Sequence, residues 1–316
     1  MRNVPFIIAE IGSNFRSQDD CVQSIKLARA CGADAVKFQL FTERELYGFG
    51  DKNSHTFAIG AWIEDLAAVA KNVGIEFMCT AFSPEGVDIV DPFVKKHKVA
   101  SSENAYTQLL DRVASKGKPV FISTGGSSIS DMKRTLDYLK KYPSIDVTLL
   151  YCVSSYPAKA FNLFKMEQLA QLGKPVGFSD HSTDELYAPL SASVHFDARV
   201  IEKHMRLDKI TNTPDAGHSI TPDAFKKMVD HIRGTNDGFR SSEEDEAVHC
   251  YNRRLIATKR INVNEKLLYG VNFGCYRSKI RDTKGLGPLE WQDVQEKRCA
   301  SYLKIGDSIG PKDYLK

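Results

Sequence analysis

The sequence predicts a (β/α)8 barrel with a small domain after it, and three observations support this prediction. Eight apolar runs rich in β-branched and aromatic residues alternate with segments of helical spacing along the first three quarters of the chain. The runs are apolar throughout, which is typical of parallel strands covered by helices on their outer side. A polar, acidic stretch and a short basic tail follow the last helical segment. Eight strand and helix units are the number that closes such a barrel.

The predicted elements alternate along the chain. The strands occupy residues 6–12, 35–40, 75–82, 97–101, 119–124, 147–154, 175–181 and 200–206. The helices, in which apolar residues recur every three or four positions, occupy residues 19–31, 61–72, 84–96, 106–116, 128–141, 163–172, 184–195 and 221–233. A doubly wound open sheet is the alternative arrangement of such units. The first strand lacks a Gly-x-Gly-x-x-Gly turn into its helix, so a dinucleotide site has no support.

Composition divides the chain into three predicted parts. Residues 1–236 form the barrel, residues 237–249 a polar linker, and residues 250–316 a small domain. The last part holds 14 Lys and Arg against 7 Asp and Glu, whereas the body before it is mildly acidic. A solvated basic surface explains this excess, and so does a module that meets an anionic ligand.

The cysteines, the apolar runs and the basic tail exclude several classes of protein. The seven cysteines are odd in number and scattered, with no Cys-x-x-Cys pair, so we expect reduced thiols and neither a disulfide framework nor structural zinc. No apolar run approaches the roughly 20 residues that span a bilayer, and we predict a cytoplasmic protein without a membrane partner. The basic tail lacks an aromatic-interleaved stripe, so nucleic acid is not expected as a partner.

Polar side chains stand at the carboxyl end of every predicted strand. Because the strand ends of a barrel converge on one mouth, we expect these side chains to share one site. Two lysines among several hydroxyls favour a small phosphorylated or carboxylated anion, although each lysine singly could be the buried partner of a carboxylate. The strand-end residues are Glu10, Ser13, Asn14, Lys37, Gln39, Thr80, Ser83, Lys98, Ser101, Glu103, Ser123, Thr124, Ser154, Ser155, Tyr156, Ser179, Asp180, His181, Glu202 and His204.

Two histidines end the seventh and eighth strands, which are neighbours in a barrel. We expect the imidazoles of His181 and His204 to converge on a divalent metal such as Mn²⁺ or Zn²⁺, with a carboxylate such as Glu10 or Asp180 nearby. The other six histidines, including His218 in the loop after strand eight, are predicted to be structural.

Glu10 and Glu103 are the carboxylates expected to move protons. If burial tunes them, either can act as general acid or base at the mouth. The alternative is that they only pair with Lys37 and Lys98.

The motifs resemble, in order and spacing, those of the sialic acid synthase family, the phosphoenolpyruvate-dependent synthases of N-acetylneuraminic, legionaminic, pseudaminic and related nonulosonic acids. The resemblance covers nearly the whole chain, and the tail is similar to the family's small antifreeze-like (SAF) domain. The motifs are AEIGSN, VKFQ, TAFS, HKVASSE, STGG, CVSSYP, GFSDHS, IEKHM and TPDAGHSITPDAF.

The resemblance implies a metal-dependent condensation of phosphoenolpyruvate with N-acetylmannosamine or a 2,4-diacetamido hexose, which yields a nonulosonic acid and phosphate. It implies that His181 and His204 bind the metal, typically Mn²⁺. It implies a domain-swapped homodimer in which Arg277 reaches into the neighbouring barrel. The residues implied to hold phosphoenolpyruvate are Lys37, Thr80, Lys98, Ser101, Ser123, Ser154 and Ser179. Those implied to face the amino sugar are Gln39, Glu103, Tyr156 and Asp215.

The sequence departs from the family pattern around the acceptor sugar. The usual Asn-His-x-Gly of the first loop is Asn14, Phe15, Arg16 and Ser17 here, and the pattern after Glu103 also differs. These departures keep two alternatives open. One is another phosphoenolpyruvate-condensing synthase of keto-deoxy sugar acids that uses a sugar phosphate, with Arg16 as a candidate for the extra phosphate pocket. The other is a catalytically weakened paralogue that binds sugar without turnover.

Overall fold

A computed structural model describes residues 4–50, 58–236, 253–277 and 285–315. The chain divides into two compact units, Met1–Gly238 and Phe239–Lys316. The predicted linker, residues 237–249, lies outside the described residues. Of the described helices, none combines the length and apolar character that a membrane span requires.

The first unit is a (β/α)8 barrel, so the predicted fold class is confirmed. The strand order is β3-β2-β1-β8-β7-β6-β5-β4, every paired neighbour is parallel, and the end strands β3 and β4 lie beside each other. The strands are β1 (Phe6–Gly12), β2 (Ala35–Leu40), β3 (Glu76–Ala81), β4 (His97–Val99), β5 (Val120–Ser123), β6 (Val147–Tyr151), β7 (Val176–Asp180) and β8 (Val200–His204).

Several of the described helices of this unit begin at residues whose side chains cap the first turn. Ser17, Ser83 and Ser128 cap three of them, each accepting a hydrogen bond from a backbone N–H of the first turn. The helices are α1 (Gln18–Ala30), α2 (Glu43–Tyr47), α3 (Ala58–Val73), α4 (Pro84–Val90), α5 (Thr107–Ser115), α6 (Ile129–Leu139), α7 (Lys165–Ala170), α8 (Tyr187–Phe196) and α9 (Pro222–Asn236).

Three helices differ from the sequence prediction for local reasons. The helix predicted over 84–96 ends as α4 and passes into a 3-10 turn, Asp91–Phe93, because Pro92 cannot donate a helical hydrogen bond. The helix predicted from residue 184 begins at Tyr187, since the Asp184 carboxylate accepts the backbone N–H groups of the first turn. Helix α2 was not predicted; it begins with a capping box of Thr42 and Glu45.

The interior of the barrel changes from apolar to polar along each strand. The buried layer nearest the amino ends contains Ile8, Ala35, Met78, Phe121, Leu150 and Val200. Because side chains two residues apart face the same side of a strand, the next layer toward the mouth contains Glu10, Lys37, Thr80, Ser123, Cys152 and Glu202. The same period that builds the core therefore presents polar groups at the carboxyl ends.

The second unit is a small β-rich structure with its own core. Strands β9 (Arg253–Ala257) and β10 (Phe273–Arg277) are antiparallel, and a 3-10 turn, Pro288–Glu290, leads into a short helix, Trp291–Val294. The core includes Leu255, Ile261, Leu267, Phe273, Val294, Cys299, Leu303 and Ile309.

Candidate active site

A cavity of about 700 Å³ opens at the carboxyl ends of the barrel strands. Some residues predicted for the site do not line it, among them Ser83, Glu103, Thr124 and Ser155. Arg277 ends β10 in the second unit, and its side chain is exposed. The predicted residues that do line it are Glu10, Lys37, Gln39, Thr80, Lys98, Ser101, Ser123, Ser154, Tyr156, Ser179, His181, His204 and Asp215.

Lys37 lies between two glutamates on the floor of the cavity. Its Nζ is 2.7 Å from Glu10 Oε2 and 3.6 Å from Glu202 Oε2, and it donates a hydrogen bond to Thr80 Oγ1 at 3.0 Å. Gln39 Nε2 donates to the other oxygen of Glu10 at 2.6 Å. This contact orients the glutamate toward Lys37.

Lys98 lies across the cavity floor with looser carboxylate contacts. Its Nζ donates to Ser123 Oγ at 2.7 Å and to the Val99 carbonyl at 3.1 Å, while its nearest approach to Glu202 is 3.9 Å. Glu202 accepts a hydrogen bond from Ser179 Oγ at 2.8 Å. Two ammonium groups and one hydroxyl therefore surround the Glu202 carboxylate on the floor.

The sequence predicts Glu202 at a strand end of the mouth but assigns it no role of its own. The signal that could have identified it is strand periodicity, because Glu202 stands two residues before His204 and so faces the same side.

The two central glutamates have opposite pKa shifts. Burial raises the pKa of Glu10 to about 7, an effect that the charge of Lys37 opposes and that of Glu202 reinforces. Burial also disfavours the charge of Glu202, but Lys37 and Lys98 hold its pKa below the ordinary value. Near neutral pH Glu10 is therefore partly protonated, whereas Glu202 is ionised.

The pKa values of the two lysines shift in opposite directions. Burial disfavours the charge of Lys37, yet Glu10 and Glu202 raise its pKa above the ordinary value. For Lys98, burial dominates and lowers the pKa. The charge of Lys98 is thus less fully balanced by protein carboxylates than that of Lys37. An anionic ligand would supply the missing negative charge.

The loop after β5 approaches the floor closely. Gly125 N–H donates to Ser101 Oγ at 3.2 Å. A Cβ at Gly125 would lie 2.2 Å from Ser154 Oγ and 2.7 Å from Ser101 Oγ, so only glycine fits here. This contact brings backbone N–H groups and hydroxyls together, which is the chemistry of an anion cradle.

Three imidazoles meet at the other side of the cavity. The His204 ring centroid is 5.5 Å from that of His181 and 4.5 Å from that of His218. His181 and His204 thus face one cavity, as the sequence predicted. His218, predicted to be structural, belongs to the same cluster; its position three residues after Asp215 in a strand-end loop was the available signal.

Burial keeps these imidazoles neutral. It lowers the pKa of His181 to about 4, and it lowers the pKa of His204 well below the ordinary range, with His218 adding to the effect. A neutral imidazole retains the lone pair that a metal requires. His181 Nδ1–H donates to the Val153 carbonyl at 2.9 Å, which leaves Nε2 as its ligand atom.

The remaining predicted residues lie around this cluster. The Tyr156 ring centroid is 4.6 Å from that of His181. Asp215 Oδ2 accepts the Ser13 backbone N–H at 2.7 Å. Glu103 is buried beside the cavity and accepts a hydrogen bond from Ser102 Oγ at 2.7 Å. Burial raises the pKa of Glu103, and its role in proton transfer stays a prediction.

The residues of the first loop that depart from the family pattern, Phe15 and Arg16, do not line the cavity. Phe15 is fully buried, with its ring centroid 6.1 Å from that of Trp62 and 6.4 Å from that of Phe38. Arg16 is exposed, donates to Asn212 and does not line the cavity. Asp180 also lies outside the cavity, where it pairs with buried Lys203.

One wall of the cavity is apolar. It is formed by Phe41 and Phe82, whose ring centroids are 4.9 Å apart, and by Leu46 and Tyr47 of α2. The cavity therefore combines a cationic floor, an imidazole cluster and an apolar wall, which suits an anion and a larger, partly apolar molecule together.

Known proteins match the chain over most of its length. Pseudaminic acid synthase of Campylobacter jejuni is 29% identical, covering 98% of this chain and 96% of that protein. N,N'-diacetyllegionaminic acid synthase of Legionella pneumophila is 30% identical, covering 96% and 93%. The crystal structure of the spore coat polysaccharide biosynthesis protein SpsE of Bacillus subtilis superposes with a TM-score of 0.66 at 28% identity, covering 99% and 96%. Residues 24–243 match the NeuB family. The chain belongs to the NeuB family.

Proposed function

We propose that the protein condenses phosphoenolpyruvate with an N-acylated amino sugar, with the help of a divalent cation, to form a sialic-acid-like nonulosonic acid and phosphate. The observation that carries the proposal is the division of one cavity into a floor with Lys37 and Lys98 and a cluster of neutral imidazoles. The relatives named as synthases of pseudaminic and legionaminic acids support the same reaction.

The floor suits phosphoenolpyruvate. Its phosphate and carboxylate need cations and directional donors, which Lys37, Lys98 and the hydroxyls of Ser101, Ser123 and Ser179 offer. Binding of the anion would relieve the poorly compensated charge of Lys98. Thr80 and Ser154 line the same region and offer further donors.

The reaction forms a bond between C3 of phosphoenolpyruvate and the aldehyde carbon of the open-chain sugar. Water adds at C2, the bond from C2 to the phosphate oxygen breaks, and inorganic phosphate leaves with a 2-keto-3-deoxy acid as product. The aldehyde oxygen takes up a proton as it becomes a hydroxyl. Glu10, which holds its proton up to about pH 7, is available for proton exchange beside the floor.

A divalent cation held by His181 and His204 would polarise the aldehyde and stabilise the negative charge that develops on its oxygen. The donor set fits such a cation, because His204 Nδ1 and His218 Nε2 are buried nitrogens without a hydrogen-bond partner. Mixed nitrogen and oxygen ligands suit Mn²⁺ and other borderline ions.

The apolar wall favours a 2,4-diacetamido hexose over N-acetylmannosamine as the acceptor. A second acetamido group adds a methyl group, and Phe41, Phe82 and Tyr47 offer it apolar contact. Gln39, Tyr156 and Asp215 line the same cavity and are the polar groups proposed to face the sugar.

The test is phosphate release from phosphoenolpyruvate with Mn²⁺ and a panel of acceptors, followed by the mass of the product. The panel contains N-acetylmannosamine, 2,4-diacetamido hexoses, and pentose and tetrose phosphates. We expect release with a diacetamido hexose and a nine-carbon product. Release with a sugar phosphate alone would refute the proposal in favour of a keto-deoxy sugar acid synthase. Metal and phosphoenolpyruvate binding without any release would indicate a weakened paralogue.

We further propose that the second unit is an SAF domain of a domain-swapped homodimer and that Arg277 acts in the partner's cavity. The exposed position of Arg277 at the end of β10 supports this role. The test mixes His204→Ala and Arg277→Ala chains, each inactive alone. Partial recovery of activity is expected, and failure to complement in a verified dimer would contradict the exchange.

A further inference from the structure

We propose that a second cavity of the barrel, between the loop after β5 and helix α7, binds a small anion that carries a phosphate group. The cavity has a volume of about 390 Å³, within the range of roughly 300–1,000 Å³ that is typical of small-molecule sites. Binding at this site does not depend on the condensation proposed above. The lining includes Thr124, Gly126, Ile129, Tyr151, Lys165 and Leu169.

This second cavity lies on the outer side of β5 and β6. Thr124 continues the pairing of β5, since its backbone N–H donates to the Leu150 carbonyl at 2.9 Å. Successive side chains of a strand face opposite sides, so Thr124 faces away from Ser123, which lines the floor of the active-site cavity. Tyr151 follows the core residue Leu150 and faces the outer side in the same way. The two cavities therefore lie on opposite sides of the same strand ends, and Gly126 lines both.

A buried hydroxyl of the second cavity has no partner in the protein. Thr124 is 5% exposed, and its Oγ1 makes no hydrogen bond to any residue that the structure describes. Buried polar atoms nearly always have a partner, so this hydroxyl indicates that the cavity takes a polar ligand.

Tyr151 supplies a second donor. Its hydroxyl oxygen accepts the Asn162 backbone N–H at 3.0 Å, while its own proton has no acceptor among the described residues. Burial raises the pKa of Tyr151, so the hydroxyl keeps this proton at neutral pH. The proton is therefore available to an acceptor in the cavity.

Lys165 determines the charge of the second cavity. Its ammonium group is exposed and forms no ion pair with a described residue, and the lining contains no aspartate or glutamate. The hydroxyls of Ser127 and Ser128 also line the cavity but already donate, to Asn104 Oδ1 at 3.1 Å and to Asp131 Oδ2 at 2.6 Å. One cation and two available hydroxyl donors remain, which are the partners that a phosphate group needs.

The test measures binding of inorganic phosphate and, separately, of glycerol 3-phosphate to the full-length chain by isothermal titration calorimetry. Lys98→Met is the background, because it weakens the anion site on the floor and leaves the second cavity unchanged. In this background we expect Lys165→Met and Thr124→Val each to weaken binding about tenfold. Thr124→Ser keeps the hydroxyl and should bind as the background does. Lys159→Met, which removes an exposed lysine that lines neither cavity, is the matched control for charge.

Two comparisons decide the outcome, and circular dichroism verifies that each variant is folded. Tighter binding of inorganic phosphate would identify the free anion as the ligand. Tighter binding of glycerol 3-phosphate would identify a phosphomonoester that also contacts Ile129 and Leu169. The site is refuted if neither anion binds to Lys98→Met, or if folded Lys165→Met and Thr124→Val bind both anions as tightly as their background does. Because no sugar is present, a failure of the proposed condensation would leave this result unchanged.

Discussion

Two buried lysine networks on this barrel differ in how completely the protein satisfies them. Lys203 on β8 is fully buried and donates to Asp180 Oδ2 at 2.6 Å and to the carbonyls of Ser182 and Asp184, each at 2.7 Å. An ammonium group has three protons to donate, and here all three are used within the protein.

The lysines of the cavity floor are just as deeply buried but less completely paired. Lys98 has two neutral acceptors and a carboxylate only at 3.9 Å. Lys37 shares Glu10 and Glu202, and Glu10 is partly protonated at neutral pH. The fully paired network of Lys203, which faces away from the barrel interior, thus contributes to stability. The less completely paired lysines inside the barrel, Lys37 and Lys98, are available to a ligand.

The largest effect is expected from breaking the Lys203 network. Lys203→Met leaves Asp180 buried without its cation, which should lower the free energy of unfolding by about 3–5 kcal/mol. Urea denaturation followed by circular dichroism measures the change. The double variant Lys203→Met, Asp180→Leu is the control and should recover much of the loss, because no buried charge is left alone. A single variant as stable as the wild type would show that the network is not a stabilising one.

The second-largest effect is expected on ligand binding and not on the stability of the fold. Lys98→Met should weaken phosphoenolpyruvate binding by 10- to 100-fold, corresponding to about 1.5–3 kcal/mol for a lost charge-assisted hydrogen bond. Isothermal titration calorimetry measures the affinity, with Lys96→Met, half-buried outside the cavity, as the control. The comparison fails if Lys98→Met binds phosphoenolpyruvate normally, or if it loses as much stability as Lys203→Met.

A smaller effect is expected in the pH dependence of stability. The pKa of Glu10 is raised to about 7 in the folded protein from an ordinary value of 4.5. Between these values the unfolded chain releases this proton and the folded one keeps it, so ionisation favours unfolding. The contribution of Glu10 to stability is therefore fully present below about pH 4.5 and is lost as the pH rises through about 7.

Glu10→Gln removes this dependence. The free energy of unfolding of the wild type should fall relative to the variant by on the order of 2 kcal/mol across that pH range. Urea denaturation at pH 4.5, 6 and 7.5 measures the difference, and exposed Glu64→Gln controls for the loss of one carboxyl group. A constant difference between Glu10→Gln and the wild type would contradict the raised pKa.

Period-two alternation explains why the sequence predicted the floor well. Lys37 stands two residues after the core residue Ala35, so an inward orientation follows from the strand pattern alone. The same pattern places Lys203 outward between Glu202 and His204. Its partners come from the loop after β7, and the sequence contains no signal of that pairing because it depends on the path of the loop.

The imidazole cluster marks the limit of prediction from strands. His181 and His204 could be found because they end neighbouring strands, and both line the cavity. His218 lies on a 3-10 turn, Ala216–His218, whose direction is set by the contacts of Asp215 with Ser13. A loop fixed by tertiary hydrogen bonds has no period, so the sequence alone did not place His218 in this cluster.

The smallest effect is expected for an exposed lysine pair whose two charges are nearly as close as those of buried Lys203 and Asp180. Lys226 on α9 is 2.8 Å from Asp230 Oδ2, nearly the separation of Lys203 and Asp180, but both side chains are exposed. Water already solvates these charges and salt screens them, so Lys226→Ala should leave the urea midpoint unchanged within error. Raising the salt concentration should not separate the two proteins either. If Lys226→Ala destabilised the protein as much as Lys203→Met, the separation of the charges and not their burial would set the strength of a lysine pair in this barrel.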